Sequence, residues 1–150
     1  MAGKYFDEWT VGDRLTHQPS RTVTETDNLL FSTMTHNMQP LHLDAEYARG
    51  TEFGQIVVNS TFTFSLAVGL SIADTTVGTI VANLGFDKVT TPKPTFIGDT
   101  LTCHTEVLEL KESKSRPNAG IVVFGHELTN QRGEVALKMT RTVMLQKKPA

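Results

Sequence analysis

Residues 35–44 read THNMQPLHLD, setting two histidines, two carboxamides and a carboxylate around one proline. An imidazole ordinarily titrates near ~6.5, so His42 has the chemistry to take a proton from water and return it at neutral pH. Asn37 does not, because a carboxamide has no useful titration; it can only accept one hydrogen bond and donate others. His36, His42 and Asp44 have the residue types of a metal site, but no second close His/Cys pair accompanies them, and no metal is expected. Each position also has a structural reading. His42 suits a structural or surface role, and Asn37 the left-handed geometry that ends helices. Gln39 can satisfy loop backbone groups, and Asp44 can cap a helix. Residue types alone leave both sets of roles open.

The elements that would hold these residues follow from spacing. Thr24 and Asp27 resemble a capping box with a shorter acid, ahead of Leu29, Leu30, Phe31 and Met34. Pro40 disfavours helical geometry at Gln39, so this helix is expected to stop near Asn37. Asp44 then caps a short helix through Tyr47 and Ala48. From Phe53 to Ala73 there is no formal charge, yet Asn59, Ser60, Thr61, Thr63, Ser65 and Ser71 make the run too polar to span a membrane. Within it Phe62, Phe64, Leu66, Val68, Leu70 and Ile72 alternate as a strand would. A length of about 14 residues exceeds the usual strand, so a helix capped by Asn59 or Ser60 is expected. Its apolar side chains point to all sides, which predicts burial all round.

The second half reads as strands. One covers Gly78 to Phe86, and Leu101, Cys103, Thr105 and Val107 alternate with more polar neighbours. GIVVFGHEL runs into the hairpin turn TNQRGE, and Val135, Leu137, Met139, Val143 and Leu145 share a face that Arg141 alone interrupts. A helix that needs covering and antiparallel strands with one apolar face each predict an α+β fold. In it a strongly curved antiparallel sheet wraps a long central helix, the hotdog arrangement. Its open sheet edges favour dimers.

Bulk composition narrows the function. The 150 residues suit one domain, 1–150. A net charge of −2 offers no electrostatic attraction for nucleic acid or an anionic membrane. The N-terminal residues lack the apolar core of a signal peptide. Cys103 is the single cysteine, which suits a reducing cytoplasm.

Taken together, YFDEWTVGD, TVTETDNLLFSTMT, QPLHLDAEYA, FGQIVVNS and PTFIGDTL resemble the MaoC-like, or type 2 enoyl-CoA hydratase, family over nearly the whole chain. PLHLD followed at this distance by FG is the specific part; GDTL alone would be weak. The family's motif runs Asp-x-Asn-Pro-x-His. His42 matches its histidine, while Asn37 stands at the aspartate, Gln39 at the asparagine, and VNS (58–60) where many members have Ala-His-Gly. These departures resemble the mesaconyl-CoA hydratase branch.

The resemblance implies addition of water across the double bond of a 2-enoyl-CoA to give a 3-hydroxyacyl-CoA. Coenzyme A enters as part of the substrate and no further cofactor is implied. His42 would carry the proton and Asn37 orient the water. Unpaired N–H groups and the dipole at the start of the long helix suit a thioester oxyanion, and the resemblance puts that carbonyl near Ser60, with Asn59 and Gln39 as further substrate contacts. A homodimer or larger homo-oligomer is expected. Two other readings stay open. Many hotdog thioesterases carry a carboxylate on or beside the central helix, and residues 53–73 offer none. A non-catalytic acyl-CoA binder would account for Asn37 in place of aspartate. Arg49 is a candidate partner for a second substrate carboxylate. Lys111, Lys114 and Arg116 read as a solvated hairpin loop rather than as coenzyme A contacts.

Overall fold

The computed structural model describes residues 3–149. A 3-10 turn at Phe6–Glu8 and two short strands, β1 (Arg14–Thr16) and β2 (Arg21–Thr22), lead into three helices: α1 (Glu25–Met34), α2 (Pro40–Leu43) and α3 (Ala45–Arg49). The long helix α4 (Ser60–Thr75) follows, then β3 (Ile80–Thr90), β4 (Thr100–Glu112), β5 (Ala119–Thr129) and β6 (Val135–Gln146). All strand pairs are antiparallel, in the order β1-β4-β5-β6-β3, with β2 also on β4. The sheet curves around α4 without closing, as the sequence predicts.

Period-two burial sets the inner face. In β4 Leu101, Cys103, Thr105 and Val107 are buried, and in β5 Val122, Phe124, His126 and Leu128. Two apolar clusters result. One joins Ala67 of α4 to Leu101, Cys103, Leu128, Leu137 and Met139; the other joins Phe6 and Trp9 to Val107, Phe124, Val143 and Leu145. Each fully buried leucine contributes ~1.5–3 kcal/mol relative to exposure.

Where the two clusters meet, β4, β5 and β6 each contribute one polar side chain: Thr105 between Cys103 and Val107, His126 between Phe124 and Leu128, Arg141 between Met139 and Val143. His17 joins them from the N-terminal segment. It spans from the Asp74 carboxylate (Nδ1–Oδ2 2.8 Å) to the Thr105 hydroxyl (Nε2–Oγ1 2.7 Å), and that hydroxyl also meets His126 Nδ1 at 2.8 Å. Arg141, the break in the apolar row of β6, donates from Nε to Asn83 Oδ1 at 2.8 Å.

The structure departs from expectation at three places. Burial of α4 is not all round: Thr61, Ser65 and Gly69, one turn apart, form an exposed stripe. The first long strand starts at Ile80 rather than Gly78, whose φ of +76° makes a turn, and it continues past Phe86 to Thr90. α1 ends at Met34, and the left-handed residue is His36 (φ +58°), not Asn37. His36 N–H donates to Thr33 O at 3.2 Å and Asn37 N–H to Ser32 O at 2.9 Å, the paired bonds of a Schellman ending.

Candidate functional site

Two caps hold the loop that carries His42. Thr24 Oγ1 accepts from Asp27 N–H (3.2 Å) while Asp27 Oδ2 accepts from Thr24 N–H (2.8 Å), which fixes the start of α1. Asp44 Oδ1 accepts from the N–H groups of Glu46 (3.0 Å) and Tyr47 (2.9 Å), starting α3. Between them Pro40 opens α2, where its missing N–H costs nothing. That one-turn helix is too short to leave an apolar period in the sequence.

Within α2 the half-buried His42 ring turns toward the strand-like segment before α4. Its Nδ1 lies 2.7 Å from Val57 O. A carbonyl only accepts, so Nδ1 carries the hydrogen and Nε2 keeps its lone pair in the neutral ring. Val57 N–H in turn donates to Leu41 O at 3.2 Å, so the two segments lock together.

A cleft of about 380 Å³ opens here, with His42, Phe53, Val58, Ser60, Thr63 and Lys93 on its walls. Its far side is the segment leading into β4, pinned by the Val58 N–H donating to Thr95 O at 2.8 Å. Gly98, at φ +94°, makes the turn into β4, and Asp99 Oδ2 accepts from Phe96 N–H at 2.9 Å; this is the structural content of FIGD.

At the start of α4, Asn59 Oδ1 accepts from the Thr61 N–H (3.0 Å) and hydroxyl (2.6 Å), and Asn59 O accepts from Phe62 N–H (3.0 Å). Among the described residues none accepts from the Ser60 N–H. One amide at the positive end of a 16-residue helix is therefore left beside the cleft. The walls thus hold a lone-pair nitrogen and an unclaimed N–H, which suits proton removal on one side and stabilisation of an oxyanion on the other.

The other residues singled out from sequence lie elsewhere. Asn37 Oδ1 accepts from Gln39 N–H at 3.3 Å in a local turn, and neither residue is on the cleft wall. Asn59 is buried, its Nδ2 donating to Ser32 Oγ at 3.2 Å, so its side chain shapes the helix start. His36 is exposed, and no three His, Cys, Asp or Glu side chains group as metal ligands among the described residues. Arg49 is exposed and pairs with Glu46; Lys111 pairs with Glu109. Burial pushes the Cys103 thiol up to about 12, which leaves it an inert packing group.

Asn28 is a positioning residue that sequence reasoning missed. Buried in α1, it donates from Nδ2 to His42 O (2.8 Å), and its Oδ1 accepts from Asn59 N–H (3.0 Å). One side chain thus ties the histidine loop to the start of α4. The available signal was an asparagine, a poor helix former, inside the helical stretch TDNLLFS.

Comparison with known proteins bears on the family and the fold. The chain is 31% identical over 147 residues to a mesaconyl-CoA hydratase of Cereibacter sphaeroides, covering 98% of this chain and 42% of that protein. The chain therefore spans about two-fifths of the length of the curated relative. The crystal structure of a MaoC-like dehydratase from Rhodospirillum rubrum superposes with a TM-score of 0.86 at 30% identity, covering 99% of this chain and 100% of that one. A Mycobacterium tuberculosis protein with a double hotdog fold matches with a TM-score of 0.87 at 22% identity, over 98% of this chain and 45% of that one, which shows the fold. No helix among the described residues is long and apolar enough to cross a membrane. The family model for the MaoC like domain matches residues 7–129, and with the hotdog sheet around α4 this establishes that the chain belongs to that family.

Proposed function

We propose that the protein is a hydratase, or in reverse a dehydratase, interconverting a 2-enoyl-CoA and a 3-hydroxyacyl-CoA. The observation that carries this is His42: Nδ1 bound to Val57 O, which leaves the lone pair of the neutral ring on Nε2, and a cleft shared with Ser60. Water bound at Nε2 loses a proton to the ring as its oxygen bonds to the β-carbon. The double-bond electrons move toward the thioester, whose oxygen is held by the Ser60 N–H. The imidazolium then delivers a proton to the α-carbon, so the net change is one water added and the neutral ring restored. General acid–base help of this kind contributes ~10²–10⁴ in rate. Asn37 carries no proton. Off the cleft wall and with Oδ1 engaged by Gln39 N–H, it serves to shape the loop that carries His42 rather than to hold the water. Gln39 and Asn59 serve the substrate indirectly, by shaping the loop and the helix start. Proton transfer and hydrogen bonding suffice, so no metal or added cofactor is proposed.

The name of the Cereibacter relative supports a short, branched dicarboxylic acyl group such as mesaconyl. The test is purified protein with crotonyl-CoA and mesaconyl-CoA, following loss of the conjugated enoyl absorbance. Turnover of mesaconyl-CoA is expected. A folded protein that turns over neither overturns the hydratase reading, and binding without turnover leaves an acyl-CoA binder. Release of free thiol from acyl-CoA would instead mark a thioesterase. The one carboxylate that α4 carries is Asp74, but it lies in the last turn, at the end away from the cleft, and is held by His17.

The working form we propose is a cytoplasmic homodimer. β3 is a sheet edge with Leu84, Phe86 and Val89 exposed, and two copies approach the length of the curated relative. Light scattering after gel filtration should give about twice 16.5 kDa; a monomer at all concentrations overturns this. The unpartnered Cys103 supports a reducing compartment.

A further inference from the structure

Apart from His42, the cleft walls carry one ionisable side chain, Lys93, and no carboxylate. Lys93 sits between Pro92 and Pro94 in the connection from β3 to β4. The two rings fix their own φ angles, and Pro94 disfavours helical geometry at Lys93, so the backbone that carries it is restricted on both sides. Among the described residues Lys111, Lys138, Lys147 and Lys148 each pair with a carboxylate, whereas Lys93 pairs with none. The acid whose charge it feels, Glu134, is committed to Asn130 Nδ2 (2.8 Å) and Arg132 Nε (2.9 Å). Arg132 is itself taken up by Glu134 and Asp99. The positive end of α4 adds to the same potential, so the cleft favours an anion and has one exposed, uncommitted ammonium with which to hold it.

We propose that Lys93 binds a phosphate of coenzyme A at the mouth of this cleft. The identity of the ligand rests on the hydratase reading. An ammonium on a flexible stem suits a phosphate as a point charge. Lys93 thereby sets the direction from which the thioester enters, nucleotide outward and acyl group toward His42 and Ser60. Lys88 also lines a cleft and has no carboxylate partner among the described residues, but that cleft carries Glu106 and Glu127 on its walls, whereas the cleft beside Lys93 carries none.

The test is calorimetric binding of two probes, coenzyme A and pantetheine, which lacks the nucleotide phosphates. The parent protein is compared with Lys93→Ala and Lys93→Arg. The parent should prefer coenzyme A by about tenfold, as one charge-assisted contact to a partly solvated phosphate provides. Lys93→Ala should bring the ratio toward one, Lys93→Arg should keep it, and added salt should shrink it in the parent. A ratio unchanged in Lys93→Ala, equal losses for both probes, or no binding of coenzyme A overturns the proposal. Failure of the hydratase reading is separable. Coenzyme A preference that depends on Lys93, without turnover of any enoyl-CoA, leaves the phosphate site standing alone; turnover with a ratio independent of Lys93 does the reverse.

Discussion

The two ends of α4 both carry histidine, and they differ in what their histidines have left to offer. At the N-terminal end His42 spends one nitrogen on Val57 O and presents the other to a cleft. Toward the C-terminal end His17 spends both, on Asp74 and Thr105, and is buried. Asp74–His17–Thr105 has the order of an acid–imidazole–hydroxyl triad, and its contacts of 2.8 and 2.7 Å would suit one. Thr105 lies at the wall of a second cleft of about 700 Å³, but it is nearly fully buried and its hydroxyl meets both His17 Nε2 and His126 Nδ1, so its oxygen is not free to attack. Bonding geometry alone does not separate reactive from structural histidine here. The separation comes from what accompanies the ring: His42 shares its cleft with the unclaimed Ser60 N–H, whereas His126, whose Nε2 also lacks a partner among the described residues at the wall of a second cleft, sits beside the Arg141 guanidinium.

The largest effect that can break this comparison is at His42. His42→Ala should lower kcat by ~10²–10⁴ while the urea midpoint moves little, since the ring is half-exposed and makes one hydrogen bond. If turnover survives within a few-fold, the cleft end is as structural as the other. Next comes Ser60→Pro. The first position of a helix tolerates proline, whose only loss there is the N–H. The variant should therefore fold, yet lose ~10²–10³ in kcat, the usual cost of one oxyanion donor. An unaffected kcat would remove Ser60 from the chemistry without disturbing the role of His42.

Thr105→Val probes the other end with the opposite signature. The change keeps shape but strands His17 Nε2 and His126 Nδ1 without a partner in the core. Each buried unsatisfied group costs ~1–3 kcal/mol, so about 2–6 kcal/mol of stability should go for the two, read from urea melts, with kcat nearly unchanged. A loss of turnover without a loss of stability would mean that the buried chain of hydrogen bonds communicates with the cleft.

The unequal legibility of the two ends in the sequence has a physical basis. The histidine loop is local: Thr24 with Asp27, and Asp44 with Glu46 and Tyr47, are contacts within three residues, so spacing reveals them. The sheet's inner face is legible for the same reason, since a period of two survives along each strand. The polar band is not. His17 lies 57 residues from Asp74 and 88 from Thr105, and nothing in local spacing links them. Arg141 was visible as an interruption in β6, but its acceptor, Asn83, is 58 residues away on another strand. Asn28 combines both cases, a residue of odd type inside a helix whose two partners, His42 and Asn59, come from later segments.

The smallest predicted effect concerns how the buried end responds to acid. Burial holds the His126 imidazole down to about 3, with the Arg141 guanidinium and His17 adding to the effect. Among the described residues none accepts from its Nε2, so a second proton there would stand unpaired beside the Arg141 guanidinium. In the unfolded chain the ring titrates near its ordinary ~6.5, so between these values the unfolded state binds the proton first. The contribution to stability is thus complete above the ordinary value and is lost as pH falls toward about 3. Its ceiling is on the order of 4 kcal/mol, reached only at the acid end of that window. Between pH ~7 and ~5 the share is about 1–2 kcal/mol. His126→Asn retains a donor toward Thr105 and cannot titrate. Urea melts of both proteins across this range cancel the carboxylates they share. The stability of the parent relative to the variant should therefore shrink as the solution is acidified. A gap that stays constant would show that His126 is hydrated or paired in solution, and would erase the contrast with His42 on which the assignment of the cleft depends.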